Sequence, residues 1–343
     1  MRRKSTLLIA IVCIFVIVEI LFLRPSTVPR VEEDPQGMFN SIEKLVESQK
    51  QKDEVGYTID GFHYTAVEGE VRHWEMFAKQ AVLYEHSRLV LATDAKIKMF
   101  DPMGKITNIK GDQAYYKMGN RDLDLQDNVK VVFPDGFWVT TTRAHYSAST
   151  ELISSDKAFK GETIPQKGEL MQVWGTGFNA TKSGPDIHIL NNTHAKLRRF
   201  TSDEITDVNS DKAIINREKK TGQFSMHAQT NKKSFVESIQ GTLFVRSKFQ
   251  DVTYDPQTNN VQYLTATEDV YIKEMDQKRS QTGLKYATCQ RADFLTKEDK
   301  ILLSGFPSAY QGEDILTGDQ IIVHRKKNLL EVMQTNAVHR NTQ

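Results

Sequence analysis

A strand-turn-strand unit recurs through most of this chain and limits its fold more than any other feature. Its clearest copy runs Trp74-Glu75-Met76-Phe77-Ala78-Lys79-Gln80-Ala81-Val82-Leu83-Tyr84, then Leu89-Val90-Leu91, then Asp94-Ala95-Lys96-Ile97. The order is small residue, aromatic, turn, alternating aliphatics, Asp or Asn, aliphatic. It returns as Gly111-Asp112-Gln113-Ala114-Tyr115-Tyr116 with Leu123-Asp124-Leu125 and Asp127-Asn128-Val129, and as Thr142-Arg143-Ala144-His145-Tyr146 with Leu152-Ile153. A late copy is Ala292-Asp293-Phe294, Ile301-Leu302-Leu303 and Gly305-Phe306-Pro307. Self-similarity at a period of roughly 30 residues marks stacked supersecondary units, not a closed enzyme domain.

The 343 residues are enough to bury a substantial core. A formal net charge of +1 supplies no global field for nucleic acid. The two cysteines, Cys13 and Cys289, form no metal-binding array and lie on opposite sides of any membrane boundary, so no disulfide is expected between them.

Residues 5–23 are apolar except for Glu19 and follow Arg2, Arg3 and Lys4. At 1.5 Å per residue such a run spans a hydrocarbon core of about 30 Å, with the basic end cytoplasmic. A cleaved signal peptide is the competing reading. Leu21-Phe22-Leu23-Arg24-Pro25 offers no small-x-small cleavage site, which favours a retained anchor. Glu19 either faces protein or snorkels to the far interface.

Residues 1–24 are thus read as cytoplasmic tip and anchor, and 25–56 as a linker. A short amphipathic helix around Met38, Phe39, Ile42, Leu45 and Val46 is expected in that linker. From Tyr57 to about Phe200 the pattern is all-β with short antiparallel strands. Asp101-Pro102-Met103-Gly104 and Pro134-Asp135-Gly136 are its turns. Thr201 to Ser234 is the most polar stretch and reads as a junction. Strand signals resume at Thr242-Leu243-Phe244-Val245, giving β units over 57–200 and 201–343.

No catalytic motif emerges: there is no G-x-S-x-G, H-E-x-x-H, P-loop or C-x-x-C. Catalytic residues, metal ligands and cofactors are therefore read as none. His63 and His73 read as surface histidines. Asp122 and Asp124 flank Leu123 on a strand, so both are expected on the solvated face. Local alternation nominates Met76, Met99, Phe133, Trp138, Phe178 and Phe294 as large inward residues. These would fill the core of an ordinary sandwich.

Three stretches carry a family resemblance. Behind the N-terminal apolar run comes Tyr57-Thr58-Ile59-Asp60-Gly61-Phe62-His63-Tyr64-Thr65, with Gly69 and Trp74-Glu75-Met76-Phe77-Ala78-Lys79-Gln80-Ala81 after it. The Gly111-Asp112-x-Ala114 and Leu123-x-Leu125-x-x-Asn128-Val129 repeats follow. Val173-Trp174-Gly175-Thr176-Gly177-Phe178-Asn179 then leads to Asn192 and Ala195-Lys196-Leu197. This order resembles LptC, the single-pass inner-membrane component of bacterial lipopolysaccharide export, over roughly residues 1–200. From about Phe249 the chain resembles LptA, the OstA-type periplasmic bridge protein. The carriers are Leu264-Thr265-Ala266-Thr267-Glu268-Asp269-Val270, Ala292-Asp293-Phe294, Leu303-Ser304-Gly305-Phe306-Pro307 and Leu316-Thr317-Gly318-Asp319-Gln320-Ile321.

The resemblance implies twisted open β-jellyrolls stacked end to end behind a transmembrane helix, with acyl chains between two sheets and sugars outward. It implies a groove of Trp74, Met76, Ala78, Ile97, Met99, Val131, Phe133, Phe178 and Phe294, with Gly69 and Gly175 as family-motif glycines. The implied partners are lipopolysaccharide, an inner-membrane ABC transporter at the N-terminal edge and transmembrane helix, and an LptA-like bridge or outer-membrane LptD-like translocon at the C-terminal edge. No nucleic acid is implied. The implied location is the inner membrane, with the N-terminus cytoplasmic and the bulk of the chain periplasmic. The other reading of the same pattern is a structural β-solenoid that binds proteins by edge pairing and carries no lipid.

Overall fold

The computed structural model describes residues 55–68, 71–163, 169–199, 205–226, 235–255 and 261–338. The expected anchor, its Glu19, the helix around residues 38–47, and Gly69 lie outside the described residues. Among those described, no helix is long and apolar enough to cross a membrane. The chain divides into units 1–52 and 53–343, and the described residues lie in the second.

That unit is a single antiparallel sheet in which β1 to β9 each pair with their sequence neighbours. The first strands are β1 (Val55–Glu68), β2 (Val71–Tyr84), β3 (Leu89–Phe100), β4 (Ile106–Lys117) and β5 (Asp122–Val132). Next come β6 (Phe137–Ser147), β7 (Leu152–Thr163), β8 (Glu169–Thr181) and β9 (Asp186–Arg199), each joined to the one before by a hairpin.

These strands run 11 to 14 residues, not the short lengths expected from sequence. The reason is a corner near the middle of each. Asp94 in β3, Asp127 and Asn128 in β5, and Asn192 in β9 take positive φ, a conformation that Asp and Asn tolerate better than other side chains. The ladders skip or shift register at these points. On the concave side of β3 the buried residues are Val90 and Ala92 before the corner, then Ala95, Ile97 and Met99 after it, with Leu89 also buried at the strand's start. A straight strand would send those two sets to opposite faces. The corner resets the alternation, so both arms bury side chains on one concave side.

Beyond β9 the same plan continues with some strands broken in two. β10 (Ile205–Ser210) pairs with the last arm of β9, and β11 (Lys212–Asn216) with its first arm. β12 (Thr221–Ser225) and β15 (Phe249–Tyr254) extend the β11 side, while β13 (Val236–Gln240) and β14 (Leu243–Ser247) extend the β10 side. The long strands β16 (Val261–Glu274) and β17 (Tyr286–Leu295) span both sides again, with a short helix α1 (Gln277–Thr282) between them. β18 (Lys300–Ser304), β19 (Ser308–Gln311), β20 (Asp314–His324) and β21 (Leu329–Val338) complete the sheet. Glu268 and Asp269 form the corner of β16. The polar stretch after Thr201 is thus regular sheet wherever it is described.

The two series of arms make two walls with one apolar cluster on their inner faces. Cys289 belongs to that cluster, and burial pushes its thiol up to about 12, leaving it protonated and unreactive at neutral pH.

Candidate functional site

Two rows of inward residues, one per wall, run the length of the sheet without losing register. On the first wall the row passes through Tyr64, Met76, Ile97, Ile109, Val131 and Val139, each directly opposite the next on adjacent strands. It continues through Gly161, Val173 and Ala195 to Val208, then Ser238, Val245, Ile272, Ala287, Ala309 and Leu316. The second wall carries Val90, Tyr116, Leu123, Tyr146, Ile153, Ala180 and Ile187. Its row goes on through Ile215, Gly222, Val252, Leu264, Phe294, Ile301 and Val323. At a strand spacing of about 4.8 Å, fifteen steps between strands make a surface on the order of 70 Å long. It is almost wholly apolar, Ser238 and the Tyr hydroxyls being the exceptions.

The predicted groove residues all lie in this cluster. Trp74 faces Met99 and Met76 faces Ile97 across β2 and β3, and Val131 and Phe133 continue that wall. Ala78 sits at the β2 corner, 8% exposed. Phe178 is on the opposite wall, fully buried, and meets Phe159 of the first wall edge-on at 5.1 Å between ring centroids. Phe294 lies much farther along, between Leu264 and Ile301, so it shares the surface but not the neighbourhood of the others. Gly175 is a close-approach position. A Cβ there would stand 2.6 Å from Ile189 Cγ2 and 3.0 Å from Phe159 Cε1, so the walls meet over it only because it has no side chain.

Two inferences from alternation fail. Trp138 faces outward, because the turn at Pro134-Asp135-Gly136 sets Phe137 and Val139 inward. Asp124 is not solvated: it is fully buried on the outer face, its Oδ1 2.8 Å from Nδ1 of His145 on the neighbouring strand. A strand face says which way a side chain points, not what covers it.

The open side of the walls, opposite the corners, is closed by contacts that the sequence did not announce. Near β1 an aromatic cluster joins Tyr64 and Trp74 of the first wall to Tyr116 of the second, with Trp74 edge-on to Tyr116 at 4.8 Å. Farther along, Thr107 Oγ1 donates to the Lys182 carbonyl. The strongest closure is Arg217, which follows β11 on the second wall. Its Nε lies 2.7 Å from Asp135 Oδ2, Nη2 donates to the Gly184 carbonyl at 2.8 Å, and the guanidinium stacks 4.2 Å above Phe133 of the first wall. Burial draws its pKa down while Asp135 holds the charge in place. A second arginine, Arg325 in the β20–β21 turn, donates from Nη2 to Thr242 Oγ1 at 3.2 Å and approaches Glu274. Both arginines bridge one wall to the other at its open side.

Each end of the sheet leaves a strand with one neighbour among the described residues. β1 pairs with β2, and β21 pairs with β20. Tyr57 and Ile59 on β1, and Leu329 and Met333 on β21, are exposed there. The segment Leu329-Leu330-Glu331-Val332-Met333 lies on that terminal edge.

Residues 36–198 match the family described as lipopolysaccharide-assembly, LptC-related. Residues 207–329 match the LptA/(LptD N-terminal domain) LPS transport protein family. No curated protein matches the chain. Among solved structures, LptH, the LptA-homologous periplasmic component of the lipopolysaccharide transport device from Pseudomonas aeruginosa, aligns at 11% identity and a TM-score of 0.33. The alignment covers 40% of this chain and 95% of that one. The inward row of the first wall crosses from one matched region to the other at the Ala195–Val208 pair, so the two regions share one ladder. The chain thus joins, in one polypeptide, a region that matches the LptC-related lipopolysaccharide-assembly family to a region that matches the LptA/LptD N-terminal lipopolysaccharide transport family.

Proposed function

We propose that this chain is a membrane-anchored periplasmic conduit that receives lipopolysaccharide from an inner-membrane ABC transporter and passes it toward the outer membrane. The observation that carries the reading is the pair of unbroken apolar rows across both family regions. In this reading the cornered walls are two open jellyrolls, over about 57–200 and 201–343, fused end to end. Acyl chains lie between the walls, and the sugars emerge at the open side. Residues 5–23 form the single-pass anchor with the N-terminus in the cytoplasm.

The energetics suit transport. Each methylene withdrawn from water contributes about 0.8 kcal/mol, so an acyl chain of about twelve carbons gains on the order of 10 kcal/mol along the path. An almost wholly apolar row offers that gain at nearly every step and few polar groups to hold the lipid. The residues of the path are closed on one another, Phe178 being 0% exposed. Acyl chains therefore enter by displacing wall-to-wall contacts, and the open side with its arginine closures is where the walls part. The sequence has no P-loop, which leaves the driving energy to the transporter. The edge of β1 offers the transporter a strand to extend, and the edge of β21 offers the same to a bridge protein or outer-membrane translocon.

Photo-crosslinking in the full-length, membrane-embedded chain tests the path. Probes at Met76, Met99 and Phe178 are expected to capture lipopolysaccharide at least tenfold more than a probe at His188, exposed on the outside of the second wall. Equal capture at all four positions contradicts an internal route.

A further inference from the structure

The outer face of the first wall carries a feature that the conduit does not use. Beside the inward row runs an outward one, in which Phe77 on β2 faces Lys96 on β3, Lys96 faces Lys110 on β4, and Lys110 faces Lys130 on β5. Three ammonium groups thus stand directly opposite one another on adjacent strands, an arrangement that opposes sheet formation. Lys98 lies one step along the same face. The row is neutralised farther on, where Lys160 pairs with Glu162 at 2.8 Å. Lys130 is partly compensated by the face of Trp138, 4.3 Å from its Nζ. Among the described residues no ion pair reaches Lys96, Lys98 or Lys110.

These side chains surround a recess of about 460 Å³ lined by Lys96, Lys98, Lys110 and Lys130 together with Phe77 and Asn108. No carboxylate lines it. Of the nearby acids, Glu75 stands opposite Lys98 on β2 but is paired with Arg72, while Asp94 and Asp112 line the adjoining hollow over the corners, where Asp112 accepts a hydrogen bond from Asn128 at 2.6 Å. The volume is that of a small-molecule pocket. Lysine binds phosphate as a point charge from any direction, without the planar fork that selects carboxylates.

The geometry points to a phosphate-binding site in this recess, taking a phosphate-bearing anion the size of a phosphorylated sugar or a lipid headgroup. Bound phosphate supplies the countercharge that the opposed lysines lack, with Asn108 donating a hydrogen bond and Phe77 covering one side. The site lies on the outside of the wall, so it stands or falls independently of the internal lipid path.

The test uses the full-length chain and its Lys96→Gln, Lys98→Gln, Lys110→Gln, Lys130→Gln variant. A second variant with Lys157, Lys212, Lys219 and Lys273 replaced by Gln removes the same charge from exposed positions elsewhere. Inorganic pyrophosphate is the soluble probe, and a short-chain phosphatidylglycerol below its micelle concentration is the headgroup probe.

Binding of at least one probe is expected to weaken tenfold or more in the recess variant and to stay within twofold in the control variant. Loss of phosphatidylglycerol binding assigns the site to a lipid headgroup, and loss of pyrophosphate binding alone assigns it to a free anion. Relief of the opposed charges gives a readout that needs no ligand. Without probe, the recess variant is expected to melt at a higher temperature than the wild type, and pyrophosphate raises the melting temperature of the wild type and the control variant but not that of the recess variant. Equal binding by wild type and recess variant, equal loss in both variants, or no binding of either probe to the wild type overturns the site.

Discussion

Replacing Phe178 with alanine is expected to cost about 3–5 kcal/mol of folding stability, the range for deleting a buried aromatic side chain. Phe178 is fully buried and is one of the contacts that hold the two walls together, through Phe159. Each strand contacts chiefly its neighbours, so the loss should be local. Hydrogen exchange should rise in β7, β8 and β9 and remain near wild type in β16 to β20. Uniform loosening of the whole sheet would mean that the walls are one cooperative block. The same substitution leaves an apolar hollow on the proposed path, so lipid capture at neighbouring positions should survive wherever the protein remains folded. Surfaces that serve as both core and carrier carry this double cost, and it explains why large residues crowd a path that must open.

Arg217→Ala is expected to give the second largest effect, a loss of about 2–3 kcal/mol, from a desolvated cation over aromatic rings and a hydrogen bond to the half-buried Gly184 carbonyl. Asp135 is 41% exposed and regains water when its partner leaves, which keeps the loss below that for breaking a fully buried pair. The distinguishing measurement is access. An environment-sensitive fluorophore at Val173, inside the first wall, should report wetter surroundings in Arg217→Ala, with little change in Arg325→Ala, whose closure lies nearer the other end. Arg217→Lys should restore little, because a single ammonium cannot stack on Phe133 while reaching both Asp135 and the Gly184 carbonyl. Full recovery with lysine would reduce the closure to simple charge pairing.

Much of this was legible in the sequence, and the gaps have physical causes. Alternating aliphatics mark the strands and correctly nominate Met76, Met99, Phe133, Phe178 and Phe294 as inward, though not Trp138, because burial on one face imposes a period of two. The Asp or Asn in each repeat unit was visible as a pattern, but its role as a mid-strand corner was not. Without Asp94, Asp127 or Asn192 as corners, one long bent strand reads as two short ones, which is how the sequence was read. Trp138 was misplaced because parity depends on where the preceding turn ends. The Asp124–His145 pair was missed because adjacency across strands decides it, and Arg217 because its partners come from a distant hairpin. Nothing in Asn216-Arg217-Glu218 announces Asp135. The lysine row was likewise hidden, since Lys96, Lys110 and Lys130 look like ordinary solvated positions until register sets them side by side.

The most direct test of a conduit is whether the chain recognises the lipid part of its cargo. Equilibrium binding of the full-length protein to intact lipopolysaccharide should be compared with binding to the same molecule stripped of its acyl chains. A path made of the two apolar rows predicts affinity at least a hundredfold higher for the intact form, abolished together with the Met76, Met99 and Phe178 crosslinks. Equal affinity for the deacylated saccharide would place recognition on the outer surface and contradict transport between the walls.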